Sequence, residues 1–146
     1  MSHVCDVAKY ILKKQGTVSA WKLQKLVYYS QAWSLVWDGR PMFNERIEAW
    51  ANGPVCPDLY AQHRGQFMVS DIKYGDPDKL DKDAKETIDG VLSYYGDKSP
   101  QWLSDLTHAE SPWKDARGDL PSGASCQREI TQEAMAAYYE SLPPAA

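Results

Sequence analysis

The sequence predicts a mainly α-helical fold: a compact single-domain helical bundle around a central Trp/Tyr-rich helix, with a small β-hairpin or short-stranded sheet inserted in it. Hydrophobic residues make up 43% of the 146 positions, which is enough for one core of ordinary size. Apolar side chains recur at helical spacing in most segments, whereas short, partly alternating apolar runs are confined to residues 42–50 and 67–69. We expect one domain over residues 1–142 and a C-terminal tail over 143–146.

The first two predicted helices fill the N-terminal quarter of the chain. Val4, Val7 and Ile11 share one face of helix 1, for which Ser2 is the expected cap and Gly16 the end. Helix 2 follows the expected cap Ser19 and ends before the turn-forming residues 38–41. Apolar and aromatic side chains surround it on several sides, so we predict a central, buried helix with Trp33 in the core.

A different pattern follows over residues 42–69. Residues 42–43 and 46–50 read as two strands of a hairpin, in which Glu48 and Trp50 point to the same side. Asn52, Gly53 and Pro54 then predict a turn. A short helix begins at Pro57, and residues 67–69 predict one further strand.

The second half of the chain predicts four helices. Each is preceded by a residue whose side-chain oxygen can accept a hydrogen bond from the first helical turn. Residues 118–129 read as a loop because Gly, Ser and Pro are frequent there. The expected caps are Asp81, Ser99, Ser111 and Thr131.

Charge and cysteine content exclude several classes of protein. The net charge of −4 is not the basic charge expected of a protein that binds nucleic acid. No run of apolar residues approaches the roughly 20 that a membrane span needs. Cys5, Cys56 and Cys126 are far apart and lack the spacing of a zinc site or a disulfide framework. No phosphate-binding loop is present. We therefore expect no cofactor and no metal. No secretion signal is visible, so we expect a cytoplasmic protein.

Polar chemistry is concentrated at residues 107–114. His108 and Glu110 could act as a base and its orienting partner only if the loop folded them together. The alternative is that His108 closes the preceding helix, where a charged imidazole interacts favourably with the helix dipole, while Trp113 packs on the core. His63 is expected to be a hydrogen-bonded surface or core residue.

Three blocks of sequence stand out as a set. They are residues 22–32 (KLQKLVYYSQA), residues 48–55 (EAWANGPV) with Leu59 and Tyr60 close behind, and Thr107-His108 with Pro112-Trp113 and Ala116-Arg117. In order and spacing these blocks resemble the Panacea domain, the family of SocA-like and GepA-like phage-associated antitoxins. The resemblance covers nearly the whole chain.

This resemblance implies a non-enzymatic antitoxin of a bacterial or prophage toxin–antitoxin system. Members are encoded beside toxin genes and neutralise the toxin by direct protein contact. The resemblance implies a second mechanism as well, in which the protein is an adaptor that delivers the toxin to a ClpXP-type protease. A third hypothesis, from a different class, is a small enzyme centred on His108.

The expected partner is therefore a cognate toxin encoded by an adjacent gene, with a protease as a second partner in the adaptor mechanism. We expect no binding of nucleic acid or membrane. The candidate toxin-binding surface combines Trp50, Asn52 and Pro54 with His108 and Trp113.

Overall fold

The computed structural model describes residues 2–121 and 123–142 and confirms the mainly helical fold with a small sheet. The tail expected over 143–146 lies outside the described residues. In chain order the elements are α1 (Val4–Gln15), β1 (Val18–Ser19), α2 (Ala20–Trp37), β2 (Ile47–Trp50), β3 (Gly53–Val55), α3 (Pro57–His63), β4 (Met68–Val69), a 3₁₀ turn (Pro77–Lys79), α4 (Lys82–Tyr95), α5 (Pro100–Ala109), α6 (Ser111–Arg117), β5 (Glu129–Ile130) and α7 (Gln132–Glu140).

Helix α2 is central, as predicted. It packs against α1, α4, α5 and α7, and all residues from 23 to 32 are buried. The rings at its centre are Tyr28 and Tyr29, however, and not Trp33, which is half-buried. The Trp33 indole N–H donates to the Tyr95 hydroxyl at 3.1 Å. A large ring with one polar edge is thereby held at the margin of the core.

Four of the expected helix caps are confirmed, because this signal is local. The side chains of Ser19, Asp81, Ser99 and Thr131 each accept a hydrogen bond from the first turn of their helix.

Two other expected caps are wrong. His3, and not Ser2, caps α1, through a reciprocal pair with Asp6. Helix α6 begins at Ser111 itself and has Glu110 as its cap residue without a side-chain cap bond. Glu110 also terminates α5, so the two helices share one junction residue.

The small sheet differs from the predicted hairpin in its partners. Strand β2 pairs antiparallel with β3 on one side and with β5 on the other, in the order β3-β2-β5. Residues 42–43 do not form the first strand of this sheet. Phe43 forms an isolated parallel bridge with Ser2, and Gln31 binds the backbone of both residues: its Oε1 accepts from Met42 N at 2.7 Å and its Nε2 donates to Phe43 O at 2.8 Å. The strand expected at residues 67–69 is confirmed as β4, which pairs with β1.

Candidate functional site

Four consecutive backbone carbonyls of the β2–β3 hairpin, those of residues 49–52, are each bound by a side chain from another element. We call these four donor side chains the hairpin clamp. The pairs are Arg117 Nη1 with Ala49 O (2.9 Å), Trp113 Nε1 with Trp50 O (2.8 Å), His108 Nε2 with Ala51 O (3.2 Å) and Lys25 Nζ with Asn52 O (3.1 Å). The turn is thereby fixed by groups outside its own ladder.

The positions of the clamp residues follow from the helices that carry them. Trp113 and Arg117 are four residues apart on α6, so both side chains lie on the face that meets the sheet. His108 is in the last turn of α5, and Lys25 is in the buried part of α2. The guanidinium of Arg117 lies 4.9 Å from the Trp113 ring centroid, which packs the two side chains on each other.

Arg117 also holds the chain that follows α6. Besides the carbonyl of Ala49, its guanidinium donates to Pro121 O at 2.8 Å and to Ala124 O at 2.7 Å. The residue is 2% exposed. The planar guanidinium carries several N–H donors in a fixed arrangement, so it can bind several carbonyls at once. An ammonium group lacks this planar arrangement of donors.

Gly53 allows Lys25 to approach the hairpin closely. Its φ is +123°, a conformation that residues with a side chain rarely adopt. A Cβ added there would lie 3.2 Å from Lys25 Cε and 3.4 Å from Thr107 Oγ1. The glycine in the motif of residues 48–55 is therefore explained by both backbone conformation and space.

Lys25 is an ammonium group in an unusually buried position. The residue is 2% exposed, and burial lowers its pKa to about 8. Its described contacts are the carbonyl of Asn52 and the face of Trp21, whose ring centroid is 5.9 Å from Nζ. Burial of a charge with only such partial compensation destabilises the fold.

We expect the free energy of unfolding of wild type to rise relative to that of Lys25→Met as the pH increases from 8 to 10. With a pKa lowered to about 8 in the folded state, wild-type Lys25 loses its proton in the folded protein before it does so in the unfolded chain. Wild-type stability therefore rises by roughly 1 kcal/mol per pH unit over this window, a gain that the variant lacks. Urea unfolding of both proteins at each pH measures the difference. Lys13→Met, at an exposed position, controls for net charge, and a constant difference between wild type and Lys25→Met would contradict the burial argument.

His108 lies in the last turn of α5, at the end of the helix that it was expected to close. Burial lowers the pKa of its imidazole, which disfavours the charged form that a favourable interaction with the helix dipole needs. Its Nε2 donates to Ala51 O, and its ring lies 4.2 Å from that of Trp113. Trp113 is buried, as the same interpretation expected.

Glu110 has different partners from His108. The carboxylate oxygen Oε1 accepts hydrogen bonds from the hydroxyls of Tyr29 and Tyr139, both at 2.7 Å, and the residue is 5% exposed. Burial raises the pKa of Glu110, and the two tyrosine hydroxyls oppose that rise. Among the described residues, no hydrogen bond joins Glu110 to His108, which the enzyme hypothesis would require.

Two buried glutamines of α2 were missed as organising residues. Gln24 Oε1 accepts from Cys56 N at 2.9 Å, and its Nε2 lies 2.9 Å from Nε2 of His63. Gln31 binds the backbone of residues 42–43 as described above. The sequence signal that could have found them is the presence of amides in a helix that is apolar on several sides. His63 is buried and hydrogen-bonded, as expected.

The five predicted site residues lie in one region but differ in accessibility. Asn52 is exposed, and Trp50 and His108 are half-buried. Pro54 and Trp113 are buried, so they can affect a partner only through the position of the hairpin. That these residues bind a toxin stays a prediction.

A cleft lies beside the hairpin turn. Its volume is about 300 Å³. Trp50, Ala51 and Asn52 form one wall, and residues of the segment 123–127 form the other. The Trp50 indole N–H donates to Glu48 Oε1 at 2.8 Å, which confirms that these two side chains lie on the same side of β2. The cleft is large enough for a side chain of a partner protein.

Within the part of the chain that the structure describes, no group of three or more His, Cys, Asp or Glu side chains is arranged to hold a metal ion. Nor is any helix in these residues both long and apolar enough to cross a membrane.

Comparisons with known proteins identify the family. The family model described as "Antitoxin SocA-like, Panacea domain" matches residues 23–114, a stretch that contains the hairpin, Lys25, His108 and Trp113. Antitoxin SocA of Caulobacter vibrioides (strain NA1000 / CB15N) is 33% identical over 125 residues, which cover 73% of this chain and 66% of that protein. The chain thus spans just under two thirds of that relative's length. No solved structure matches it. The chain belongs to the SocA-like antitoxin family with the Panacea domain.

Proposed function

We propose that the protein is a non-enzymatic antitoxin that binds one toxin protein directly through the exposed part of the clamped hairpin and so blocks the toxin. The observation that carries the proposal is the hairpin clamp, in which four donors hold the carbonyls of residues 49–52. A turn held in one conformation loses little entropy when it binds, so more of its contact energy becomes affinity.

The groups available for contact are the indole of Trp50, the amide of Asn52 and the edge of His108. Trp is among the residues that contribute most to binding at protein interfaces. The cleft beside Trp50 can accept a side chain of the toxin. Membership of an antitoxin family supports a toxin as the partner. That the toxin is encoded by the adjacent gene is what the resemblance of the three sequence blocks implies.

We place this complex in the cytoplasm. Cys5, Cys56 and Cys126 are unpaired and buried. Burial raises the pKa of Cys5 to about 11 and that of Cys56 to about 12, so both stay as thiols. Unpaired thiols of this kind are typical of proteins in a reducing compartment.

The test is to express the product of the adjacent gene from an inducible promoter, alone and together with this protein. We expect growth arrest by the neighbour alone, rescue on co-expression, and co-purification of the two. In the purified pair we expect Trp50→Ala and His108→Ala each to weaken binding about tenfold or more, which is the effect of losing an interface hot spot. Tyr74→Ala removes an exposed aromatic ring elsewhere and is the control.

Unchanged affinity in both variants would show that the hairpin is not the contact surface. A harmless neighbour that does not co-purify would contradict the antitoxin proposal for this gene pair. The half-life of the toxin separates the two mechanisms: a blocking antitoxin leaves it equal or longer, whereas an adaptor for a protease shortens it.

A further inference from the structure

One residue joins the two helices that carry most of the hairpin clamp. Glu110 is the single residue between α5, which ends at Ala109, and α6, which begins at Ser111. Its backbone is extended, with φ −94° and ψ 143°. Pro112 restricts the backbone two residues further on. The connection therefore has no slack, and the position of Glu110 sets the position of both helices.

Three of the four clamp donors lie close to this junction. His108 is two residues before Glu110, and Trp113 and Arg117 are three and seven residues after it. These donors bind the carbonyls of residues 49–51. A displacement of the junction relative to α2 therefore moves all three of them.

The fourth donor lies on the helix to which Glu110 is bound. Lys25 is on α2, one helical turn before Tyr29. The Tyr29 hydroxyl donates to Glu110 Oε1 at 2.7 Å. We call this hydrogen bond between α2 and the α5–α6 junction the Glu110 tether. The hairpin is bound by α2 at Asn52 and by α5 and α6 at residues 49–51, so the tether joins the same helices that the clamp joins.

The α2 end of the tether is rigid. Tyr29 is fully buried, and its ring stacks on that of Tyr95 with centroids 4.1 Å apart. The Tyr28 ring packs against it edge-on at 5.3 Å. A ring that is close-packed on several sides has little room to move. The junction is therefore positioned against Tyr29, and not the reverse.

We propose that Glu110 is a positioning residue for the toxin-binding hairpin: through the tether it sets the distance between Lys25 and the three donors of α5 and α6, and so the conformation in which the hairpin meets the toxin. This inference rests on the proposed function, because the hairpin is the surface proposed to bind the toxin. Glu110 itself is buried and acts only through the clamp. A hairpin that is held in its bound conformation loses less entropy on binding.

A reporter within the clamp tests this proposal without any partner. The Trp113 indole N–H donates to Trp50 O at 2.8 Å, so the NMR resonance of the indole proton responds to the length of that hydrogen bond. We expect Glu110→Leu to shift the resonance upfield, because a longer hydrogen bond deshields the proton less. Glu110→Gln keeps a side-chain oxygen that can accept from Tyr29, and we expect its resonance to stay near that of wild type.

A matched pair of variants separates the tether from general loss of stability. Tyr29→Phe and Tyr139→Phe each remove one hydroxyl that donates to Glu110 Oε1. We expect Tyr29→Phe to shift the Trp113 resonance and Tyr139→Phe to leave it nearly unchanged, because Tyr139 is on α7, which carries no clamp residue. Equal shifts in the two would overturn the tether. Ile88→Ala creates a cavity in the core at α4 and is expected to lower stability without moving the resonance.

The second measurement is binding to the purified product of the adjacent gene. We expect Glu110→Leu to weaken binding about tenfold or more, because the hairpin is no longer held for its partner. We expect a smaller loss in Tyr29→Phe, and affinity like that of wild type in Tyr139→Phe and Ile88→Ala. Both Tyr→Phe changes are conservative, so the comparison holds even if Glu110→Leu does not fold.

The two measurements separate failure of this inference from failure of the proposed function. If the product binds wild type and Glu110→Leu equally while Trp50→Ala weakens binding, the positioning proposal is overturned and the antitoxin proposal stands. If the product binds no form of the protein, the antitoxin proposal fails and the Trp113 resonance decides the tether by itself. A shifted resonance in Glu110→Leu and Tyr29→Phe then supports the tether, and an unchanged one overturns it.

Discussion

Arg117→Met is expected to lower the free energy of unfolding by about 3 kcal/mol or more. The guanidinium donates to the buried carbonyl of Ala49 and to the carbonyls of Pro121 and Ala124 in a more exposed segment, and a hydrogen bond from a charged group contributes about 1.5–3 kcal/mol. Methionine fills much of the space but donates no hydrogen bond. Urea unfolding measures the loss.

The same change is expected to loosen the hairpin. Ala49 N donates to Arg128 O across the sheet, so hydrogen exchange at the Ala49 amide reports the β2–β5 contact directly. We expect faster exchange there in Arg117→Met and an intermediate rate in Arg117→Lys, which keeps the charge but loses the planar fork. Lys114→Met on the exposed side of α6 is the matched control. Equal stability of Arg117→Met and wild type would refute the role of Arg117 in the clamp.

The second large effect is expected from Glu110→Leu. This change removes the acceptor of the Tyr29 and Tyr139 hydroxyls, both of which are buried. Tyr29 is then a buried donor without its acceptor, whereas the Tyr139 hydroxyl keeps the Tyr28 hydroxyl at 3.0 Å as a partner, so we expect a loss of about 1–3 kcal/mol. Glu110→Gln keeps a side-chain oxygen at this position and is expected to lose about 1 kcal/mol or less. Thermal and urea unfolding of the two variants measure the contrast.

The pH dependence of stability gives an independent check on Glu110. Burial raises the pKa of Glu110 above its ordinary value of 4.5, so the folded protein takes up this proton at a higher pH than the unfolded chain does. Wild type should therefore gain stability relative to Glu110→Gln as the pH falls from 7 towards 4.5. Glu140→Gln, at an exposed position of α7, controls for net charge. A gain in the opposite direction would mean that the tyrosine hydroxyls outweigh burial.

The hairpin shows where prediction from sequence reached its limit. The segment EAWANGPV indicated a strand followed by a turn, and β2 is indeed a strand with alternating burial. Its partner was assigned to residues 42–43, whereas the partner is β3, within the segment expected to be only a turn. Residues 42–43 have other partners: Gln31 binds Met42 N and Phe43 O, and Phe43 forms a bridge with Ser2.

The sequence grouped the five candidate residues correctly in space but did not indicate how they are held. Trp50, Asn52, Pro54, His108 and Trp113 do lie together, yet Pro54 and Trp113 are buried. The acceptors of the hairpin clamp are backbone carbonyls. Every residue has one, so the sequence does not show which of them are bound. Lys25 within an apolar helix and Arg117 at the end of the third motif are the signals that could have indicated it.

The sequence by itself determined the helices, most of their caps, the central place of α2 and the family. These depend on apolar periodicity and on hydrogen bonds between residues about three apart, both of which can be read along the chain. Only the tertiary structure decided which side chains hold the hairpin and which remain exposed for a partner. The clamp joins residues 27 to 68 positions apart, and such contacts form only when the whole core is packed.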